Sequence, residues 1–156
     1  MSEPRFDRYF REVLERAERE AQGDGSATIE AGHFLLAIAA QEGTDAGRVL
    51  DSAGLGYDAV KDALLREFAQ SLSVVGVSLD AYDLPRATPD PSRRPRPGAW
   101  YRPAMERMAA ARGRGHLRSG HLLLGILGAE VGTVPRALAI AGVNRVSLTE
   151  RVRSEL

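Results

Sequence analysis

Residues 32–38 read Gly-His-Phe-Leu-Leu-Ala-Ile, and residues 120–126, which lie 88 positions later, read Gly-His-Leu-Leu-Leu-Gly-Ile. The alignment continues without a gap through Gly54 and Gly142, and ten residues between positions 32 and 55 are identical in the two copies. Each copy ends in a pattern typical of a short helix that stops at a C′ glycine. This self-similarity predicts two copies of one structural unit.

The apolar residues of each copy recur with the period of a helix, and no stretch alternates long enough to require a strand. We therefore predict an all-α fold built from two pseudo-repeats of about four helices each. The helices at about 30–41 and 119–129 are apolar nearly all round, so they belong at the centre of a bundle. The other helices are predicted at about 6–21, 45–53, 57–69, 99–112, 133–141 and 146–154.

We predict one module, residues 1–156, with repeat one at 1–78, a linker at 79–98 and repeat two at 99–156. The linker contains repeated prolines from residue 86 onward, which remove amide donors and favour extended backbone. A weaker third copy of the helix end is present at 71–77. In the helix at 57–69, the apolar stripe predicted to face the core consists of Val60, Leu64, Leu65 and Phe68.

The composition excludes several kinds of chemistry. The chain has no cysteine, which excludes disulfides, thiolate catalysis and cysteine-ligated metal sites. Its single lysine, Lys61, lies in a helical context without glycine, which excludes a P-loop nucleotide site. Neither a Gly-x-Ser-x-Gly nucleophile elbow nor a dinucleotide-binding fingerprint is present. The longest apolar runs are too short to span a bilayer. We expect a cytoplasmic, non-enzymatic protein without cofactor, metal or membrane association.

Two histidines, His33 and His121, open the predicted central helices. Histidine is a common metal ligand and general base, but the third histidine, His116, is five residues before His121 rather than three or four. We therefore favour histidines that bond to the backbone at the helix start over a metal site.

Charge is distributed unevenly along the chain. Residues 1–78 carry 8 basic and 14 acidic side chains, a net charge of −6, whereas residues 79–156 carry 13 and 7, a net charge of +6. Eight arginines lie between Arg93 and Arg118, with Trp100 and Tyr101 among them. We favour a solvated segment, since arginine replaces lysine almost throughout this chain. The other interpretations are an acidic protein partner or a second copy of the chain bound head to tail, which we prefer to nucleic acid, whose phosphates bind arginine and whose bases stack on aromatic rings.

A duplicated all-helical module with this core helix resembles the N-terminal domain of the Clp/Hsp100 unfoldases, especially the ClpC type. The resemblance covers essentially the whole chain and is most specific at residues 28–42 and 116–130. It implies a stand-alone, non-catalytic domain that recognises clients and adaptors of an ATP-driven ring, here without the motor.

The resemblance also implies a ligand site at the start of each central helix. In ClpC-type domains a glutamate before the signature histidine faces the guanidinium of phosphoarginine, but here Gly32 and Gly120 stand at these positions. Glycine supplies no carboxylate, so phosphoarginine recognition by this route is not expected at either site. Glu30 is a candidate substitute in the first repeat, whereas Arg118 repels a guanidinium and favours an anion in the second.

We predict a protein-binding module that acts as an adaptor, a client or ligand receptor, or a sequestering partner in Clp-dependent proteolysis. Its partners are expected among Clp unfoldases, adaptors and clients, with phosphoarginine or peptide-like ligands as further candidates. The alternative is a regulator that binds nucleic acid or an acidic partner through Arg93–Arg118. The candidate binding residues are those of the two exposed turns and the histidines that follow them: Glu30, Ala31, Gly32, His33, Arg118, Ser119, Gly120 and His121.

Overall fold

The structure of the protein is a computed structural model that describes residues 4–77 and 88–156. These residues form eight α-helices and one pair of two-residue strands, which confirms the all-α prediction. Repeat one contributes α1 (Phe6–Gly23), α2 (Ala31–Ala40), α3 (Asp45–Ser52) and α4 (Tyr57–Val74). Repeat two contributes α5 (Tyr101–Arg112), α6 (Ser119–Leu127), α7 (Thr133–Ile140) and α8 (Arg145–Ser154).

Local sequence explains where several of these helices begin. The Thr44 hydroxyl accepts a hydrogen bond from the Gly47 amide at 3.0 Å, so Thr44 caps α3. Asn144 caps α8 in the same way, through the Ser147 amide at 2.9 Å. Pro103 is the third residue of α5, where an amide would have no partner within the helix.

Four helices end in the same backbone motif, and in α1 it is formed by Gly25, with a φ of 66°, and by the Ser26 amide, which donates to the Ala21 carbonyl at 2.9 Å. After α3, the Leu55 amide donates to the Leu50 carbonyl at 2.8 Å, and Gly54 has a φ of 75°. The same pair of features ends α7 at Gly142 and α4 at Gly76. This is the Schellman motif, which requires a left-handed residue that glycine adopts without strain. The weak third copy at 71–77 is therefore a repeated helix cap at the end of α4, which extends five residues beyond the predicted 57–69.

Helices α2 and α6 lie at the centre of the fold, as predicted. Residues 32–38 and the whole of α6 are buried. In repeat one, helices α1 and α4 pack on α2. In repeat two, helices α5 and α8 pack on α6. The central helices α2 and α6 also contact each other. The repeats also exchange contacts, since α4 packs on α7 and α3 packs on α8, and both repeats contribute to one hydrophobic cluster. Neither these two helices nor any other in the described ranges is long and apolar enough to cross a membrane.

The apolar stripe predicted for α4 is wrong at two positions. Val60 is buried and Leu64 packs against the core, but Leu65 is 62% exposed and Phe68 is 54% exposed. Glu67 is buried instead, because its carboxylate accepts hydrogen bonds from the Ser71 hydroxyl at 2.6 Å and from Arg136 Nε on α7 at 2.9 Å. A paired carboxylate at the contact with α7 thus replaces the expected hydrophobic side chain.

We expect Arg136→Ala to lower the free energy of unfolding by about 1 to 2 kcal/mol, because it leaves the buried Glu67 carboxylate without its counterion. The matched control is Arg102→Ala, since the Arg102–Glu106 pair is exposed on α5 and contributes about 0 to 0.5 kcal/mol. Urea denaturation of both variants measures the difference. Equal stabilities would show that the α4–α7 ion pair does not hold the repeats together.

The described part of the linker, residues 88–98, is attached to repeat one. Thr28–Ile29 (β1) pairs in parallel with Arg96–Pro97 (β2), and the Asp90 amide donates to the Gln22 carbonyl at 2.9 Å. A hydrogen bond from the Ser92 hydroxyl also lowers the pKa of the Asp90 carboxyl. This part of the linker therefore packs against repeat one, and it contains a turn at 91–92 besides the extended residues Arg96–Pro97. Linker residues 79–87 lie outside the described residues.

Candidate functional site

The predicted site residues form the first turns of α2 and α6. In each turn the histidine accepts a hydrogen bond at Nδ1 from the backbone amide three residues earlier, Glu30 for His33 and Arg118 for His121, both at 2.9 Å. The histidine thus reaches back to the cap residue as the glutamate of a capping box does. This confirms the prediction of backbone-bonded histidines.

His33 has a second partner on its other ring nitrogen. Its Nε2 is 2.7 Å from Asp24 Oδ2, and its Nδ1 is already an acceptor, so the proton of the neutral ring lies on Nε2 and is donated to Asp24. Position 112, which aligns with Asp24 in repeat two, holds Arg112. The surroundings of the two histidines therefore carry opposite charge.

The two glycines before the histidines are packing positions. A Cβ at Gly32 would lie 3.0 Å from Leu64 Cδ2 on α4, and a Cβ at Gly120 would lie 2.8 Å from Leu156 Cδ2. Both glycines are buried, so the prediction that they lie in exposed turns is wrong for them. A side chain at either position would therefore press on the end of a leucine side chain, which would have to shift.

The turn before α2 is closed off by the linker. Glu30 is exposed at its edge, where its carboxylate accepts a hydrogen bond from the Thr28 hydroxyl, and Ala31 is half-buried. The indole Nε1 of Trp100 donates to the Ile29 carbonyl at 2.7 Å. This turn therefore faces the segment that leads into α5.

The turn before α6 contacts repeat one. Arg118 is exposed and donates to the carboxylate of Asp45, which also accepts from Arg48. Ser119 is buried, and its hydroxyl accepts a hydrogen bond from the Ala46 amide in the first turn of α3 at 3.1 Å. The prediction of an exposed Ser119 is therefore wrong, because its hydroxyl serves the start of a helix in the other repeat.

An open groove of about 710 Å³ lies beside Arg118. Its walls are the start of α1, the start of α3 and the turn between α5 and α6. None of residues 30–33 lines it, so the two predicted turns do not form one site. The lining residues are Pro4, Arg5, Phe6, Asp7, Asp45, Arg48, Arg112, Gly115, His116, Leu117 and Arg118.

A second cavity of about 470 Å³ adjoins this groove. The two share Arg112, Gly115, His116 and Arg118, and the second continues past His121 to α8. We refer to the two cavities together as the arginine groove. Its other lining residues in the second cavity are Ala111, Leu124, Arg153 and Leu156.

Most charged side chains of the arginine groove are arginines. Guanidinium groups donate up to five hydrogen bonds and match carboxylates and phosphates in shape. Among residues 4–77 and 88–156 there is no group of three or more histidines or acids that could hold a metal ion. The arrangement is therefore suited to holding an anionic ligand.

The segment Arg93–Arg118 does not form a single basic patch. Its first arginines lie near the start of α5, and its last lie near the end of that helix. The twelve residues of α5 separate these two groups of arginines by about 18 Å. Trp100 packs edge-on against Phe34 with ring centroids 4.8 Å apart, and burial in the same cluster raises the pKa of Tyr101. These aromatic rings stabilise the core, which disfavours the base-stacking role considered for them.

Three groove arginines, Arg5, Arg48 and Arg153, were missed by the sequence analysis, and Arg112 was noted only as a member of the basic segment. Arg48 carried a usable signal, since it aligns with Arg136 and is among the ten identities between the repeats. Arg5 and Arg153 carried none, because only the packing of α1 and α8 beside the α5–α6 turn brings them to this surface.

Solved structures with a similar fold include two N-terminal domains. The chain is similar to the N-terminal domain of the caseinolytic protease associated chaperone ClpD from Arabidopsis thaliana, at 17% identity and a TM-score of 0.66, covering 99% of this chain and 96% of that one. It is also similar to the Hsp104 N-terminal domain from Candida albicans, at 14% identity and a TM-score of 0.61, covering 92% and 85%.

A third similar structure comes from a study of a malarial protein secretion system, at 13% identity and a TM-score of 0.64, covering 97% of this chain and 93% of that one. No curated protein matches the sequence significantly. The model of the Clp repeat (R) N-terminal domain matches residues 5–90. The chain belongs to this Clp N-terminal domain family.

Proposed function

We propose that the protein is a non-catalytic binding module that recognises clients or adaptors in Clp-dependent proteolysis, or sequesters them, in the cytoplasm. Residues 1–156 act in this proposal as one module. The domain is a protein-interaction module in Clp/Hsp100 chaperones, and the family match to residues 5–90 supports the same class of function here.

The arginine groove is the observation that carries the proposal. It is open, it is lined from both repeats, and it includes Arg118 from the predicted set. Such a concave surface with a few fixed charged groups is the usual form of a ligand site. The first turn of α2, in contrast, is covered by the linker and offers little surface besides Glu30.

A degradation assay tests the proposal. A ClpC-type unfoldase, its peptidase and a client whose delivery depends on the unfoldase N-domain are combined with increasing amounts of the full chain. An adaptor accelerates client degradation, whereas a sequestering partner slows it.

The matched variants are Arg48→Gln in the groove and Arg102→Gln on the exposed face of α5. The effect should be weakened by the first and retained by the second. A degradation rate that is the same with and without the chain would contradict the proposal.

A further inference from the structure

The arginine groove carries an excess of positive charge. Five arginines and two aspartates line it, which gives a formal charge of +3 with both histidines neutral. The arginines come from four places in the sequence, namely the start of α1, α3, the α5–α6 turn and α8. Convergence of like charges from separate elements raises the local potential and attracts anions. The seven charged residues are Arg5, Asp7, Asp45, Arg48, Arg112, Arg118 and Arg153.

Asp45 shows how the groove holds a carboxylate. It is buried, and Arg48 donates to one of its carboxylate oxygens while Arg118 donates to the other. The two arginine side chains remain 58% and 43% exposed, so their guanidinium groups are held in place by Asp45 while facing the groove. Fixed guanidinium groups lose little conformational entropy when a further carboxylate binds.

The groove also has an apolar part. Phe6 and Leu117 line the first cavity, and Leu124 and Leu156 line the second. A ligand that fills both cavities therefore buries apolar side chains beside its charged ones. A peptide with acidic residues next to hydrophobic residues has this composition.

We propose that the arginine groove binds an acidic peptide segment, whose carboxylates pair with Arg48 and Arg112 and whose apolar side chains contact Phe6 and Leu117. This inference rests on the proposed function and names the class of its ligand. The groove repels an arginine side chain and thus selects the opposite charge.

A peptide fits the groove better than nucleic acid does. The two aspartates, Asp7 and Asp45, lie among the arginines and repel a continuous phosphate backbone. Four of the remaining basic residues, Arg93, Arg94, Arg96 and Arg102, lie before α5 or at its far end, so they do not extend the groove into a longer basic track. Arg107 donates to the Gly125 carbonyl at 2.8 Å, and Arg114 lines neither cavity. A short peptide segment with a few carboxylates matches the small, localised excess of positive charge in the groove.

The test is fluorescence anisotropy with the full chain and three labelled probes. The first is a short peptide in which glutamate alternates with leucine, the second has glutamine in place of every glutamate, and the third is a single-stranded DNA oligonucleotide. We expect the glutamate peptide to bind at least about tenfold more tightly than the glutamine peptide, since one charge-assisted pair accounts for a factor of about ten. The preference should fall as salt is raised.

Matched variants locate the binding. Arg112→Gln and Arg48→Gln should each weaken binding of the glutamate peptide about tenfold. Arg102→Gln, on the same helix as Arg112 but outside the groove, should leave the affinity unchanged. Circular dichroism of each variant establishes that it is folded.

Equal affinity for the two peptides, no binding of either peptide, or wild-type affinity in both groove variants would overturn the inference. Tighter binding of the oligonucleotide than of the glutamate peptide would also overturn it and favour a nucleic-acid surface. The degradation assay separates this result from the proposed function. A chain that alters client degradation without binding the glutamate peptide refutes only the ligand class, and one that binds the peptide without altering degradation refutes only the role in proteolysis.

Discussion

Phe34→Ala is expected to lower the free energy of unfolding by about 3 to 5 kcal/mol, the usual cost of removing a fully buried aromatic side chain. Phe34 is completely buried in α2, and its ring lies 6.3 Å from that of Phe10, 4.8 Å from Trp100 and 6.1 Å from Tyr101. The substitution therefore removes contacts between α1, α2 and the start of α5. Urea denaturation followed by circular dichroism measures the loss.

Phe68→Ala is the matched control, because Phe68 lies on α4 but is largely exposed. An exposed phenylalanine should change the free energy of unfolding by at most about 0.5 kcal/mol. If the two variants are equally stable, the aromatic cluster at Phe34 does not join repeat one to α5.

Gly125→Ala is expected to lower the free energy of unfolding by about 2 to 3 kcal/mol, near the upper end of the cost of overpacking. A Cβ at this position would lie 2.4 Å from the Ala104 carbonyl oxygen. The obstacle is helix backbone, which cannot move as a side-chain tip can, so α5 and α6 would have to separate. The equivalent position in repeat one is already alanine, Ala37.

Gly23→Ala provides the control for the change from glycine to alanine. Gly23 ends α1, and a Cβ there would meet no atom within 4 Å. Its stability should stay the same or rise by up to about 1 kcal/mol, since alanine favours helix more than glycine does. A fully stable Gly125→Ala variant in thermal denaturation would mean that α5 and α6 do not cross as closely as described.

The two turns that the resemblance indicates as ligand sites have different roles in this chain. At α2, the turn is occupied by the linker and by Leu64. At α6, the turn carries Arg118, whose guanidinium is held by Asp45 at the edge of the arginine groove. The second turn is therefore the one that adjoins the proposed binding surface, and its charge favours an anion.

Helical periodicity predicted every described helix, but it assigned the wrong face in part of α4. The period places Leu65 and Phe68 on one stripe, yet the face that contacts α7 includes Glu67. A single buried ion pair overrides the hydrophobic pattern here. The partner, Arg136, is 69 residues away in the sequence, so no local window contains the information.

The candidate site was predictable only in its local parts. The roles of His33 and His121 follow from their position at the third residue of a helix, which lies within reach of the cap amide. The burial of Ser119 depends on α3 of the other repeat, and the clustering of Arg5 and Arg153 depends on how α1 and α8 pack. The spacing of residues along the sequence does not predict these contacts.

The amino-acid sequence alone determined four features: the duplication, the all-α class, the central helices and the glycine caps. Each of them depends on interactions between residues a few positions apart. The tertiary structure was needed to place the arginine groove, to bury the predicted Ser119 and to pack glycines where a ligand-binding glutamate was expected. The groove and the burial of Ser119 arise where the two repeats meet, whereas each glycine packs within its own repeat. In both cases, contacts between distant segments are decided by packing of whole helices rather than by local pattern. The fold of this protein is accordingly determined within its repeats, whereas the proposed binding surface forms only when the two repeats pack together.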